Sequence, residues 1–257
     1  MSHNTKKPPA IRQSVLVAGQ EQSGKTYFCE QLARKYAALG RTAVLYNAGK
    51  DEDFSGAEIC EPLSLEDMVR QVGKRNKAQV DALNHFPAFR DDRTGKTYPF
   101  SVFCKFYAGK MVKIYRHPNE RYLFKSFFLH VYNTMLILDD FRGTTRTGLG
   151  HELIELVSRK NHAGTKNPER GQVAQGVDTF FVYHNLDTPP AELFDYVNRI
   201  VLFRINRIPG YRTKNPEMWE RIGEAYEWLK AQERFSYSEL AIRGYPEIRT
   251  ANRPYKK

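Results

Sequence analysis

The sequence predicts an α/β fold built around a central, mostly parallel sheet, and three observations predict it. Short apolar runs at residues 15–18, 43–46, 134–138, 179–183 and 200–203 alternate with stretches of helical spacing, the pattern of strand–helix–strand units. A glycine-bounded loop, Gly19-Gln20-Glu21-Gln22-Ser23-Gly24-Lys25-Thr26, joins the first run to the first helical stretch. The chain has 257 residues, ample for one large core with decoration.

Taken in order, residues 1–10 are polar and basic and are expected to form a disordered arm. A strand at 15–18 leads through the loop into a helix at 27–39, which Gly40 is placed to end. A strand follows at 43–46, then a loop over 48–63. Ser64 and Asp67, spaced as in a capping box, open an amphipathic helix over 64–86. In residues 87–127 aromatic and basic residues alternate, first in Phe103-Cys104-Lys105-Phe106-Tyr107 and again in Val112-Lys113-Ile114-Tyr115-Arg116. Period-two alternation predicts an inserted β-hairpin or meander with one basic face. A buried strand over 134–138 ends in Asp139-Asp140, and helical spacing returns over 149–159. Residues 162–176 read as a mobile loop. The last strands, 179–183 and 200–203, flank a short helix at 190–197. Residues 207–257 hold 11 Lys/Arg against 7 Glu, with Trp219, Tyr226, Trp228, Tyr237, Tyr245 and Tyr255 interspersed. They read as a basic, aromatic C-terminal extension beyond a domain spanning 11–206.

Strand, glycine-bounded loop and helix are the setting in which G-x-x-x-x-G-K-T binds phosphate. Gly19 and Gly24 let the backbone wrap closely, so that the N–H groups from Gln20 to Tyr27 can point at a nucleotide's phosphates. The helix N-terminus adds its positive dipole end. Lys25 is placed to reach the β- and γ-phosphates, and the Thr26 hydroxyl to ligate Mg²⁺. ATP and Mg²⁺ are therefore the expected ligands.

Met135-Leu136-Ile137-Leu138-Asp139-Asp140 has the second pattern of such sites, four apolar residues and then an acid. Asp139 would hold Mg²⁺ directly or through water. Asp140 stands where hydrolases with an additional sheet strand carry the base that orients the attacking water. His184-Asn185 closes the strand over 179–183. Asn185 is the first choice for sensing the γ-phosphate and His184 the second, against a plain turn before Asp187-Thr188-Pro189. A ring-forming ATPase also needs a cation supplied to its neighbour's γ-phosphate. Arg142, Arg146 and Arg159 are candidates, and Arg159 is preferred because it closes a helix just upstream of the strand that bears Asn185. Lys25, Asp140, Asn185 and Arg159 thus form the expected catalytic set.

Two look-alikes are set aside. Thr94-Gly95-Lys96-Thr97 contains G-K-T, but Arg90 occupies the first glycine's position and no apolar strand precedes it. Asp140-Phe141-Arg142-Gly143 spells D-x-x-G, but no guanine-reading N-K-x-D exists, since Asn76-Lys77-Ala78 is followed by Gln79. The missing guanine motif argues against a GTPase.

The net charge of +11 fits a polyanionic partner, nucleic acid or an anionic membrane surface. Six Lys/Arg against Glu120 alone over residues 105–130, interleaved with aromatics, would suit phosphate contacts and base stacking. Cys29, Cys60 and Cys104 are scattered, without C-x-x-C, so neither a disulfide framework nor a zinc site is expected. The most apolar stretch, 122–138, is interrupted by Lys125, Ser126, His130 and Asn133, a poor membrane span, and a soluble chain is expected.

The order of these motifs, with Ser158-Arg159 between the acidic pair and the segment from Gly176 to Asn185, resembles the FtsK/HerA superfamily of DNA-translocating P-loop ATPases. That superfamily includes viral genome-packaging ATPases and the zonular occludens toxin (Zot) proteins of filamentous phages. The resemblance covers about residues 11–205. It implies a P-loop NTPase fold of the additional-strand (ASCE, RecA/FtsK-like) class and a ring, commonly a hexamer, around DNA. For a packaging motor it further implies docking on a capsid or portal-vertex protein, in the host cytoplasm or on the virion. Zot proteins usually carry a membrane helix after the ATPase domain, and none is expected here, which favours packaging over extrusion. A small P-loop kinase and a nucleotide-gated DNA-binding protein with little turnover are the alternatives.

Overall fold

The structure, a computed structural model, describes residues 13–46, 54–63, 88–115, 120–139, 151–159, 163–164, 176–208, 216–242 and 248–250. The arm at 1–10, the helix expected over 64–86, Asp140, Arg142 and Arg146 lie outside these residues, as does most of the loop expected over 162–176.

Among the described residues one sheet of eleven strands runs through the molecule. Its strands are β1 (Ser14–Ala18), β2 (Thr42–Tyr46), β3 (Glu58–Pro62), β4 (Ala88–Asp91), β5 (Thr97–Pro99), β6 (Met111–Ile114), β7 (Thr134–Asp139), β8 (Val177–Tyr183), β9 (Arg199–Phe203), β10 (Tyr237–Ala241) and β11 (Ile248–Thr250). The helices are α1 (Lys25–Ala38), α2 (Phe103–Phe106), α3 (Glu120–His130), α4 (His151–Ser158), α5 (Leu193–Tyr196) and α6 (Pro216–Lys230). The spatial order is β11-β10-β9-β1-β8-β7-β2-β6-β3-β4-β5.

From β9 to β3 every pairing is parallel. These strands read as near-continuous apolar runs because both faces are covered. The alternation of side chains splits the core in two. Leu16, Val44, Leu136, Phe181 and Leu202 face one side, where α3, α4 and α6 bring Phe127, Leu156 and Ile222. Val15, Leu45, Ile137, Val182 and Val201 face the other, where α1 brings Cys29 and Ala33. The result is a three-layer α/β sandwich, as the sequence predicts.

β8 lies between β1 and β7, so the strand that ends in Asp139 is one place removed from the strand that feeds the glycine loop. This inserted strand is the topological mark of the additional-strand class. All three are parallel, with Ala18 beside Tyr183 and Val182 beside Asp139. Their carboxyl ends therefore open at one edge, where ligands bind in open α/β sheets.

Three segments differ from expectation. Residues 58–62, expected as loop, form β3, whose first residues pair with β6 and whose last pair with β4. Neighbours on both sides, rather than local propensity, make this strand.

The inserted hairpin is present but shorter, as β4 and β5. The run at 103–107 is helical instead. Phe100, Phe103, Cys104 and Tyr107 are all buried, and their spacing i, i+3, i+4, i+7 is the helical period hidden within the local alternation. Phe89 packs against Phe100, Phe103, Phe106 and Tyr107 with ring centroids 5.4–5.7 Å apart. The rings of Phe103 and Tyr107 thus belong to the core and cannot stack on nucleic-acid bases. β6, also assigned to the insertion, is a strand of the main sheet between β2 and β3.

The third difference is C-terminal. Residues 216–242 are built into the same body: α6 buries Met218, Ile222, Ala225 and Leu229 against the sheet, and β10 pairs antiparallel with β9.

Candidate functional site: a phosphate-binding cleft

The glycine loop is tethered to both neighbours of β1. The Gly19 amide donates to the Tyr183 carbonyl (3.2 Å) at the end of β8, and the Gln20 amide to the Arg204 carbonyl (2.8 Å) just past β9. Gly19 owes its identity to a close approach. A Cβ there would lie 2.5 Å from Phe203 Cβ and 2.7 Å from Ser23 Oγ. Gly24 has φ +100°, in the left-handed region, where a glycine is at home. It opens α1 with no side-chain cap, which leaves first-turn N–H groups of the helix available to a ligand.

Lys25 is buried, and its ammonium donates to the Gly19 carbonyl (2.6 Å) and the Gln20 carbonyl (2.8 Å). The lysine thus braces the loop across its own turn. Burial pushes its pKa below the ordinary lysine range, while the charge of Asp139 nearby works the other way. Cys29, one turn further along α1, is fully buried and held as the thiol, first by desolvation and then by Asp139. It behaves as a core residue.

The loop opens on a cleft of about 540 Å³, with Glu21, Gln22, Ser23, Gly24, Lys25, Thr26 and Tyr27 along its floor, Asp139 and His184 on one flank, and Arg234 and Phe235 on the other. Ser23 Oγ is buried without a hydrogen-bond partner among the described residues. The narrow cradle that a Cβ at Gly19 would fill, the uncapped helix start and a buried ammonium fit a nucleotide's phosphates. The Thr26 hydroxyl and the Asp139 carboxylate share the cleft and are hard oxygen donors able to hold Mg²⁺. Among the described residues no cluster of three or more His, Cys, Asp or Glu forms a metal site. One carboxylate plus substrate phosphates is the usual arrangement for Mg²⁺.

The remaining candidates are placed as follows. His184 is exposed and lines the phosphate cleft. Asn185 lines an adjoining cleft of about 470 Å³ with Gln20, Glu21, His184, Asp187, Asn206 and Arg207. Its Oδ1 accepts from the Asp187 amide (2.8 Å), the Thr188 amide (2.9 Å) and the Thr188 hydroxyl (2.7 Å). The side-chain carbonyl of Asn185 thus holds a turn, and both residues border the phosphate loop, His184 in both clefts and Asn185 beside Gln20 and Glu21 in the second. Arg159 is outside the cleft. It pairs with Glu155 at 3.1 Å, lies over the Phe128 ring at 5.4 Å and is 60% exposed. The G-K-T at 95–97 follows a hairpin turn in which Asp91 accepts from the Thr94 amide and hydroxyl, and a carboxylate there repels phosphate.

Sequence reasoning missed Arg234 and Phe235. The Arg234 guanidinium donates to Gln22 Oε1 (2.7 Å), and the Phe235 ring covers Gly24, 3.2 Å from where a Cβ would stand. Only the sheet order carries a signal for them, because it folds β10 back beside β9.

Fold and site geometry together define a P-loop NTPase fold of the additional-strand class. Among solved structures the chain is similar to the genome packaging NTPase B204 from Sulfolobus turreted icosahedral virus 2. For its sulfate complex the identity is 14% and the TM-score 0.59, over 98% of this chain and 100% of that one. Its ATP-gammaS complex matches at 14% identity and a TM-score of 0.57, over 93% and 96%. B204, the DNA-packaging ATPase from Sulfolobus turreted icosahedral virus, matches at 13% identity and a TM-score of 0.56, over 94% and 98%. No protein-family model matches the chain, and no curated protein matches it. No helix among the described residues is long and apolar enough to cross a membrane.

Proposed function

We propose that the chain is a Mg²⁺-dependent ATPase that moves DNA, acting as the genome-packaging motor of a virus. The observation that carries this reading is the single cleft that gathers the phosphate loop, Asp139 and His184 on a sheet with the additional strand. It is supported by likeness of fold, over nearly the whole chain, to a protein described as a genome packaging NTPase. The excess of basic residues over the chain suits a polyanionic partner.

In this reading the loop amides and Lys25 hold the β- and γ-phosphates, and Thr26 and Asp139 are the residues that would hold Mg²⁺, which would supply positive charge to offset that of the phosphates. Asp140 accepts a proton from the attacking water as its oxygen bonds to the γ-phosphorus. The bond to the bridging oxygen breaks, and ADP and phosphate leave. His184, with Asn185 holding its turn, senses the γ-phosphate. Arg159, exposed in one copy, serves the site of the next copy in a ring, a hexamer, with DNA through its centre and a capsid or portal-vertex protein as its dock. Action in the host cytoplasm, with association with the virion, follows from that role.

The test is ATP hydrolysis with and without DNA, on protein whose mass is followed by light scattering. A ring-sized species stimulated by DNA supports the motor. Turnover by a monomer indifferent to DNA overturns it and points to a kinase. Asp140→Asn should abolish hydrolysis and spare ATP binding.

A further inference from the structure

The phosphate loop sits in the middle of the sheet edge, and its two sides are chemically unlike. On the β8–β7 side the cleft offers a carboxylate and an imidazole, Asp139 and His184, groups suited to metal and to the reacting phosphate. On the β9–β10 side it offers an aromatic ring and a guanidinium, Phe235 and Arg234. Tyr27, the residue after Thr26, is a large side chain left 37% exposed at the same cleft. A nucleoside triphosphate has the same two-ended chemistry, with charge and metal at one end and a flat heterocycle at the other.

The aromatic side is held in place. Phe28, Phe203 and Tyr237 pack in a triangle with ring centroids 5.2–5.8 Å apart, which clamps the first turn of α1, β9 and β10 together. Phe235 and Arg234 are two and three residues before Tyr237, in the turn that leads into β10. The Ser236 amide closes that turn on the Glu233 carbonyl (3.0 Å). Arg234 is exposed; it donates to Gln22 at the loop's apex and its guanidinium lies 5.9 Å from the Phe235 ring centroid. A guanidinium carries five donors, so one hydrogen bond leaves others for a ligand.

We propose that Phe235 and Arg234 form the nucleoside-binding wall of this site: Phe235, with Tyr27, gives the base a face to stack on, and Arg234 donates to acceptor atoms of a purine. This rests on the nucleotide-binding reading above and assigns to the residues before β10 a role separate from the phosphate chemistry. A purine presents a larger π-face than a pyrimidine, so the site prefers purine nucleoside triphosphates.

The experiment is titration calorimetry of the full chain with Mg²⁺ and, in turn, ATP, CTP and inorganic tripolyphosphate. Arg234→Ala and Phe235→Leu are compared with wild type and with Lys25→Ala, and thermal melts verify folding. Phe235→Leu keeps an apolar group against Gly24 and removes the ring. Each variant should weaken ATP about tenfold, the scale of one lost stacking or hydrogen-bonding contact to a base, narrow the preference for ATP over CTP, and leave tripolyphosphate unchanged. Equal losses for ATP and tripolyphosphate would overturn the proposal in favour of a phosphate contact, and unchanged ATP affinity in both variants would overturn it outright. If wild type binds neither ATP nor tripolyphosphate, or Lys25→Ala binds both as well as wild type does, the nucleotide reading itself falls.

Discussion

The two flanks of the phosphate loop are built by different means. The β8–β7 flank lies inside the parallel sheet. Every residue of β8 is buried, and its start is anchored by Asp178, which accepts from the Gln13 amide (2.8 Å), the Tyr36 hydroxyl (2.9 Å) and Arg41 (3.2 Å). The β9–β10 flank lies toward the antiparallel end of the sheet. It is held by rings and by the partly buried Arg199–Glu239 pair across the two strands. One flank is a rigid interior edge that carries short polar groups. The other is a surface turn that carries long side chains. The lesson is a division of labour: groups that must be held to within a fraction of an ångström belong on the first kind of support, and recognition of a ligand's outer half tolerates the second.

The substitution with the largest expected effect is at the point the flanks share. Lys25→Ala should lower turnover by about 100-fold or more, the scale of removing one preorganised cation from a transition state, with no matching loss in melting temperature. Next is the anchor of the rigid flank. Asp178→Ala leaves Arg41, 16% exposed, without its carboxylate and should cost about 3 kcal/mol, as when one partner of a buried pair is removed. Urea denaturation reads this directly, and a loss under 1 kcal/mol would show that β8 is held by packing alone.

A smaller effect is set by pH. Burial places the folded-state pKa of Lys25 below the unfolded value of 10.5. Between the two, the unfolded chain binds more protons than the folded one, so this group's contribution to stability rises with pH across that window. The same deprotonation removes the cation that phosphate needs. As pH rises toward 10.5, ATP affinity should therefore fall while Lys25's contribution to stability rises, and Lys25→Ala should lose both trends. Smallest on stability is Arg159→Ala, remote from both flanks. An exposed i,i+4 pair is worth about 0.3–0.5 kcal/mol, so the fold should be nearly indifferent. If Arg159 serves a neighbouring copy, turnover should drop in assembled protein and recover on mixing with Lys25→Ala, because each variant supplies what the other lacks.

The legible part of this molecule is the part whose chemistry is contiguous in the chain. Gly19 to Thr26 is one unbroken segment, and Met135 to Asp139 is an apolar strand with its acid at the end, so both could be read as they stand. The three-layer core follows from strands whose residues are apolar on both faces. Elsewhere the information is not local. Phe103 and Tyr107 alternate with Lys105 as a surface strand would, and only their register with Phe100 and Cys104 exposes the helical period. Residues 58–62 become a strand because β6 and β4 lie on either side. Arg234 is 212 residues from Gln22 along the chain, and no spacing rule joins them. Asn185 and His184 are adjacent and both border the phosphate loop, and that the Asn185 side chain is engaged in closing its own turn is something no spacing decides.

The most direct test of the account is a crystal structure of the protein with Mg²⁺ and a non-hydrolysable ATP analogue. The expected result has the β-phosphate within the Gly19–Thr26 loop, the metal against Thr26 and Asp139 beside β7, and the base against Phe235 and Arg234 before β10. A nucleotide seated away from this loop would contradict the site, and one whose base turns toward β7 would contradict the division between its flanks.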